Sequence, residues 1–245
     1  MPLPLEYFQA NYAFGLAAAR VTGLPLPWAL QEWTNIPLRL GIDGPDDAAR
    51  WREQSDSIQA AADPLGRIYG LYLEHRRNRP AAGPSDEPTF GCFRYEARDG
   101  GRIRLHFRDN DESGHGPLAK PRAPARRAEL RTLVEHAVRH VSGARTLVGC
   151  SWLYSIGTYR RLFPPAYIET AGPAPLEELK YYGNWGQFLD HGGNIKRDLV
   201  ERFLRALQEA DLQTAEDLRG VFPCPILSLE APLPLFVEFY RQALA

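Results

Sequence analysis

Arg98-Asp99-Gly100-Gly101-Arg102-Ile103-Arg104-Leu105-His106-Phe107 is the stretch on which the fold class turns. Ile103, Leu105 and Phe107 alternate with Arg102, Arg104 and His106, the period-two pattern of a strand with one buried face. Arg98 to Gly101 supplies turn chemistry, and Phe90 to Ala97 before it is also strand-like. The spacing predicts an antiparallel hairpin.

Downstream, a polar, glycine-bearing stretch from Asp109 to Pro124 leads into a predicted helix from Ala125 to Ser142. There Leu130, Leu133, Val134, Ala137, Val138 and Val141 recur at helical spacing, and Gly143 stands where a C-terminal cap glycine belongs. Thr146 to Cys150 reads as a buried strand. Thr158 to Phe163 reads as a short helix stopped by Pro164-Pro165. Asn194 to Ala210 is a further amphipathic helix, Thr214 to Asp217 resembles a helix-capping sequence, and Cys224 to Leu229 reads as a last strand.

Upstream, residues 1–80 read as helical. Tyr7, Phe8, Tyr12, Leu16 and Ala19 form one stripe that ends near Gly23 and Pro25. Trp28 to Ile42 is interrupted by Pro37. A helix starts near Asp46-Asp47, and Asp63-Pro64 reads as an N-cap followed by proline at the first helical position. Arg79 to Ser85 is the linker candidate. The expected architecture is therefore α+β: a helical N-terminal region, 1–80, before an α+β domain, 88–245, the two either separate or packed as one unit.

The 245 residues carry 29 basic and 30 acidic side chains, a net charge of -1, which supplies no general attraction to nucleic acid or to a membrane surface. Lys120, Lys180 and Lys196 are the only lysines, so arginine dominates the basic residues throughout and a local arginine cluster carries less weight. The N-terminus lacks the basic and apolar regions of a signal peptide, and no stretch is long and apolar enough to span a bilayer. Cys92, Cys150 and Cys224, odd in number and widely spaced, fit a reducing cytoplasm.

Chemistry concentrates between the hairpin and the long helix, in Arg108 to Leu118 and then Arg122, Arg126 and Arg127. Arginines at a helix N-terminus oppose its dipole, at about a few tenths of a kcal/mol each. A bound anion reverses that sign, and Gly114 and Gly116 let the backbone approach it. The alternative is a solvated loop. An EF-hand calcium loop is excluded, because counting from Asp109 puts Lys120 at its twelfth position. His136 and His140, four apart, read as a polar helix face, with no glutamate in the HExxH position, and no metal is expected. Cys150 reads as a small core residue, and its surroundings are not G-x-S-x-G. Tyr181 to Phe188 interleaves aromatics with glycine, a candidate protein-contact surface.

The order of hairpin, glycine-bearing loop, long helix, buried strand and short helix resembles the central part of the GNAT-type N-acyltransferase superfamily, in a divergent bacterial branch. Ile103 to Phe107, Gly114-His115-Gly116-Pro117-Leu118, the helix to His140, and Cys150-Ser151-Trp152-Leu153 carry the resemblance. It implies a mixed sheet with flanking helices and acyl-CoA as donor, with Gly114, Gly116, Arg122, Arg126 and Arg127 as contacts to the coenzyme's phosphates. The loop departs from the superfamily pattern in placing His115 between its glycines and Pro117 after them. Transfer of the acyl group to an amine needs a base, for which His106 or Glu96 is the candidate. It also needs an acid for the leaving thiolate, for which Tyr154 or Tyr159 is the candidate. The rival expectation is a non-catalytic interaction or scaffold protein that meets a protein partner through Tyr181–Phe188. The enzyme reading depends on the arginines not being neutralised by the protein's own acids.

Overall fold

The computed structural model describes residues 2–42, 44, 47–79, 88–111 and 116–242. In chain order these form α1 (Leu5–Thr22), α2 (Leu26–Trp33), α3 (Ile36–Arg39), α4 (Ala48–Gln59), α5 (Pro64–Asn78), β1 (Thr89–Phe90), β2 (Phe93–Arg98), β3 (Arg102–Phe107) and α6 (Ala123–His140). There follow β4 (Thr146–Ser151), α7 (Gly157–Arg160), α8 (Pro165–Ile168), β5 (Gly172–Pro173), α9 (Tyr182–Trp185), α10 (Arg197–Glu209), α11 (Asp217–Gly220), β6 (Leu227–Pro232) and α12 (Leu233–Gln242). The fold is α+β, as the alternating and helical patterns require.

The chain divides into two compact units, Met1–Ala81 with Pro175–Pro225, and Ala82–Ala174 with Ile226–Ala245. The segment 175–225, expected within the α+β domain, packs with the N-terminal helices. The cause is aromatic. Trp185 is fully buried, and its ring lies within 5.4–6.4 Å of Tyr7, Phe14, Phe188, Phe203 and Phe222. Side chains of that size dominate core energetics, and α1 cannot bury Tyr7 and Phe14 without a partner; Leu16, expected on its buried stripe, is instead 47% exposed.

Within this helical unit the expected punctuation is present. α1 ends on Gly23 at φ 69°, whose N–H reaches back to Ala19. Asp63 caps α5, its carboxylate accepting from the Gly66 N–H at 2.9 Å. The 28–42 stretch breaks into α2 and α3 around Thr34 and Asn35. At α11 the Asp217 carboxylate accepts from the Thr214 N–H at 2.7 Å and the Thr214 hydroxyl at 2.9 Å.

The second unit holds one six-stranded mixed sheet in the order β1-β2-β3-β4-β6-β5. The hairpin pairs β2 with β3 from Phe93↔Phe107 to Arg98↔Arg102. Gly100 and Gly101 turn it with φ of 71° and 74°, a conformation glycine adopts without steric cost. β3 and β4 run parallel, joined through α6, whereas β4 pairs antiparallel with β6 along its whole length. Leu130, Leu133, Val134 and Ala137 of α6 join Phe93, Ile103, Leu105, Leu147, Phe236 and Tyr240 in the core, whereas Val138, expected on the same stripe, is 51% exposed. α6 ends at His140, before Gly143, which turns the chain at φ 72°. β6 begins three residues later than the sequence suggests.

Candidate functional site

The parallel pair sets the place to look. β3 and β4 are in register only at Arg102↔Thr146, Ile103↔Leu147 and Arg104↔Val148, although each strand has six residues. Past that point their pairing to each other stops, so the carboxyl ends of two parallel strands flank an opening in the ladder. In open parallel α/β sheets ligands bind outside the carboxyl ends of the strands, which makes the ends of this parallel pair the candidate place. His106, Cys150 and Ser151 stand on those ends, and the loop from β3 towards α6 leaves from the same end.

Alternation puts Arg94, Glu96, Arg104 and His106 on one face of the hairpin, opposite the core face of Phe93, Tyr95, Ile103 and Leu105. There the sequence candidates Glu96 and His106 meet: His106 Nε2 lies 3.3 Å from Glu96 Oε2. Burial raises the Glu96 carboxyl, but its bonds from Arg98 and His106 outweigh this and hold it below the usual range. An ionised carboxylate only accepts, so Nε2 carries the hydrogen and donates it, leaving the Nδ1 lone pair as the basic site. Burial, then the charge of Arg94, lowers the imidazole pKa, against the opposing bond to Glu96. The ring is therefore neutral near neutral pH. Ser151 is occupied otherwise, its Oγ accepting from the Leu153 N–H at 3.2 Å.

The arginines expected to meet an anion are held by the chain itself. Arg122 Nε donates to Asp111 Oδ2 at 2.6 Å. Arg126, 2% exposed, lies 3.4 Å from the same oxygen and 2.7 Å from Glu129 Oε1, and also donates to the Cys92 sulfur. The Asp111 side chain is 1% exposed, so a fixed carboxylate stands where a ligand phosphate was expected. Glu129 completes the arrangement by accepting from the Cys92 N–H at 3.1 Å; burial raises its pKa. Arg127 donates to the Arg161 carbonyl at 2.8 Å. Gly116 has open space around its Cα, while Gly114 and His115 lie outside the described residues. The physical reason is positional: Arg126 sits one turn before Leu130 on the apolar stripe of α6, so it points inward and recruits acids. That stripe position, with Glu129 three residues on, was the signal in the sequence.

Tyr154 and Tyr159 are 2% exposed and belong to a buried cluster with Tyr167 and Tyr240. The Tyr167 hydroxyl donates to Tyr154 Oη at 2.9 Å, and Tyr240 donates to the Leu162 carbonyl at 3.0 Å. Burial pushes all four phenols well above their ordinary pKa. A phenol so placed holds its proton and packs; neither Tyr154 nor Tyr159 opens onto solvent as an acid for a leaving group would. Gly149 supplies the room, since a Cβ there would collide with the hydroxyls of Tyr154 and Tyr167.

In the helical unit, Tyr181–Phe188 divides. Trp185 and Phe188 are core, while Tyr181 and Tyr182 are 40% and 48% exposed. The Arg39 guanidinium lies 4.0 Å from the Tyr182 ring centre, and Lys180 pairs with Glu32 at 3.2 Å. Beside them runs a groove of about 290 Å³ with Tyr181, Lys180, Gln31, Thr34 and Asp47 among its walls.

Among the described residues no group of three or more His, Cys, Asp or Glu side chains is placed to hold a metal ion, and no helix is long and apolar enough to cross a membrane. The comparisons found no family model, no curated protein and no solved structure that matches the chain.

Proposed function

We propose that the α+β unit is a general-base catalyst of group transfer, with His106 as the base and Glu96 as the residue that orients it. The observation that carries this is the 3.3 Å Glu96–His106 bond at the carboxyl end of a parallel strand pair that stops pairing halfway. A neutral imidazole with one nitrogen tied to a carboxylate and the other free of that bond is the arrangement that removes a proton from an attacking amine. Acyl transfer to an amine is the reaction class implied by the resemblance to the N-acyltransferase superfamily, with acyl-CoA the donor it implies. Asp111 and Glu129 neutralise Arg122 and Arg126, so the enzyme reading that depended on an arginine pocket falls, and the proposal rests instead on the Glu96–His106 pair. The three widely spaced cysteines fit a reducing cytoplasm, and the resemblance implies a bacterial source.

The test is calorimetry of the full chain with acetyl-CoA and longer acyl derivatives, followed by amine acylation assays on the wild type and His106→Gln. Binding with turnover that falls at least about 100-fold in His106→Gln supports the reading. The absence of heat with every donor, or turnover unchanged in the variant, overturns it. A second reading, a protein-interaction module, is favoured by exposed Tyr181 and Tyr182 beside the helical-unit groove. It predicts a partner that co-purifies with the wild type and is lost with Tyr181→Ala/Tyr182→Ala.

A further inference from the structure

We propose that His136 and His140 form a two-imidazole binding site for a divalent transition metal on the outer side of α6. The two residues are four apart, the spacing that puts two histidines on one face of a helix within reach of one ion. Their rings stack, with centres 4.2 Å apart and planes 28° from parallel. His136 is held from the hairpin side. Its Nδ1 lies 3.0 Å from the Tyr95 hydroxyl, and its ring packs 5.1 Å from that of Phe90.

Those contacts are what distinguish the pair from two solvated side chains. When Nδ1–H donates to Tyr95 Oη, the Nε2 lone pair across the ring is left for a metal. A partner on the second nitrogen is the usual support of a metal-bound histidine, setting tautomer and orientation. His140 is exposed and turns about its own side-chain bonds to meet the ion.

The chemistry also selects the ion. Two imidazoles with no third side-chain ligand among the described residues leave the remaining positions to water. That donor set suits Ni(II) or Cu(II) in exchangeable binding, and not a closed tetrahedral zinc site. The site has no role in the acyl-transfer proposal and stands independently of it.

Titration of the full chain with nickel chloride tests this, followed by calorimetry and by ¹⁵N-edited spectra of the six histidine rings. The expected result is one ion per chain, with the His136 and His140 resonances broadening before the other four. His140→Ala, at an exposed position that leaves the fold intact, lowers the affinity about tenfold or more. Tyr95→Phe, which keeps the ring and removes the oxygen, also lowers it, by less than His140→Ala does. Equal affinity in the wild type and His140→Ala, or earlier broadening of another histidine, overturns the proposal.

Discussion

Arg126 shows how a single side chain can reverse a functional expectation. An arginine beside a helix start invites an anion, and this one has two, Asp111 and Glu129, both supplied by the chain. Removing one member of a buried ion pair leaves the other uncompensated, so Arg126→Ala is expected to cost about 3–5 kcal/mol in urea unfolding. Arg127→Ala, which forfeits one hydrogen bond to a carbonyl, costs about 0.5–1.5 kcal/mol in the same measurement. Should inorganic phosphate stabilise the wild type much more than it stabilises Arg126→Ala, the arginine is available to ligands after all. The tyrosine cluster offers a milder probe. Tyr154→Phe keeps the packing and removes an acceptor of the Tyr167 hydroxyl, at a cost of about 1 kcal/mol.

At the scale of the elements, the hairpin joins a core face to a charged one, and the charged face carries a dependence on pH. His106 has a lower pKa folded than unfolded, so the unfolded chain binds more protons as acid is added. Stability therefore rises with pH in this window: it is full above the unfolded imidazole value of about 6.5 and declines as pH falls from there towards the lower folded value. His136 titrates with the same sign. The expected outcome is a urea midpoint that drops from pH 7 to pH 5, with a shallower drop in His106→Gln. An identical drop in that variant would show that the titration lies elsewhere. The hairpin and α6 were legible in the sequence because their evidence is local: alternation, a glycine turn and a helical stripe. The pairing of β3 with β4 for three residues and no further was not, since periodicity reports which face is apolar and says nothing about where a neighbour ends.

For the molecule as a whole, the helical unit is made from two separated parts of the chain. The N-terminal helices supply Tyr7 and Phe14, and 175–225 supplies Trp185, Phe203 and Phe222. Residues 1–81 expressed alone are therefore expected to lack a cooperative thermal transition by circular dichroism, despite five helices' worth of favourable local sequence. A sharp transition in that fragment would show that the aromatic core is dispensable. In the full chain, Trp185→Ala costs about 3–5 kcal/mol, as a fully buried large aromatic does.

The sequence by itself determined the identity of most elements and several of their ends: the Asp63 cap, the Gly23 stop, the glycine turn of the hairpin and the stripe of α6. These follow from interactions within one or two turns of chain, which residue spacing encodes directly. Only the tertiary structure decided that 175–225 joins the helices, that Arg126 faces Asp111 fifteen residues upstream rather than a ligand, and that Trp185 is core while Tyr181 and Tyr182 face water. Each of those outcomes depends on which distant surface covers an apolar or charged side chain. That choice is made by shape and charge complementarity between elements, which no local pattern records.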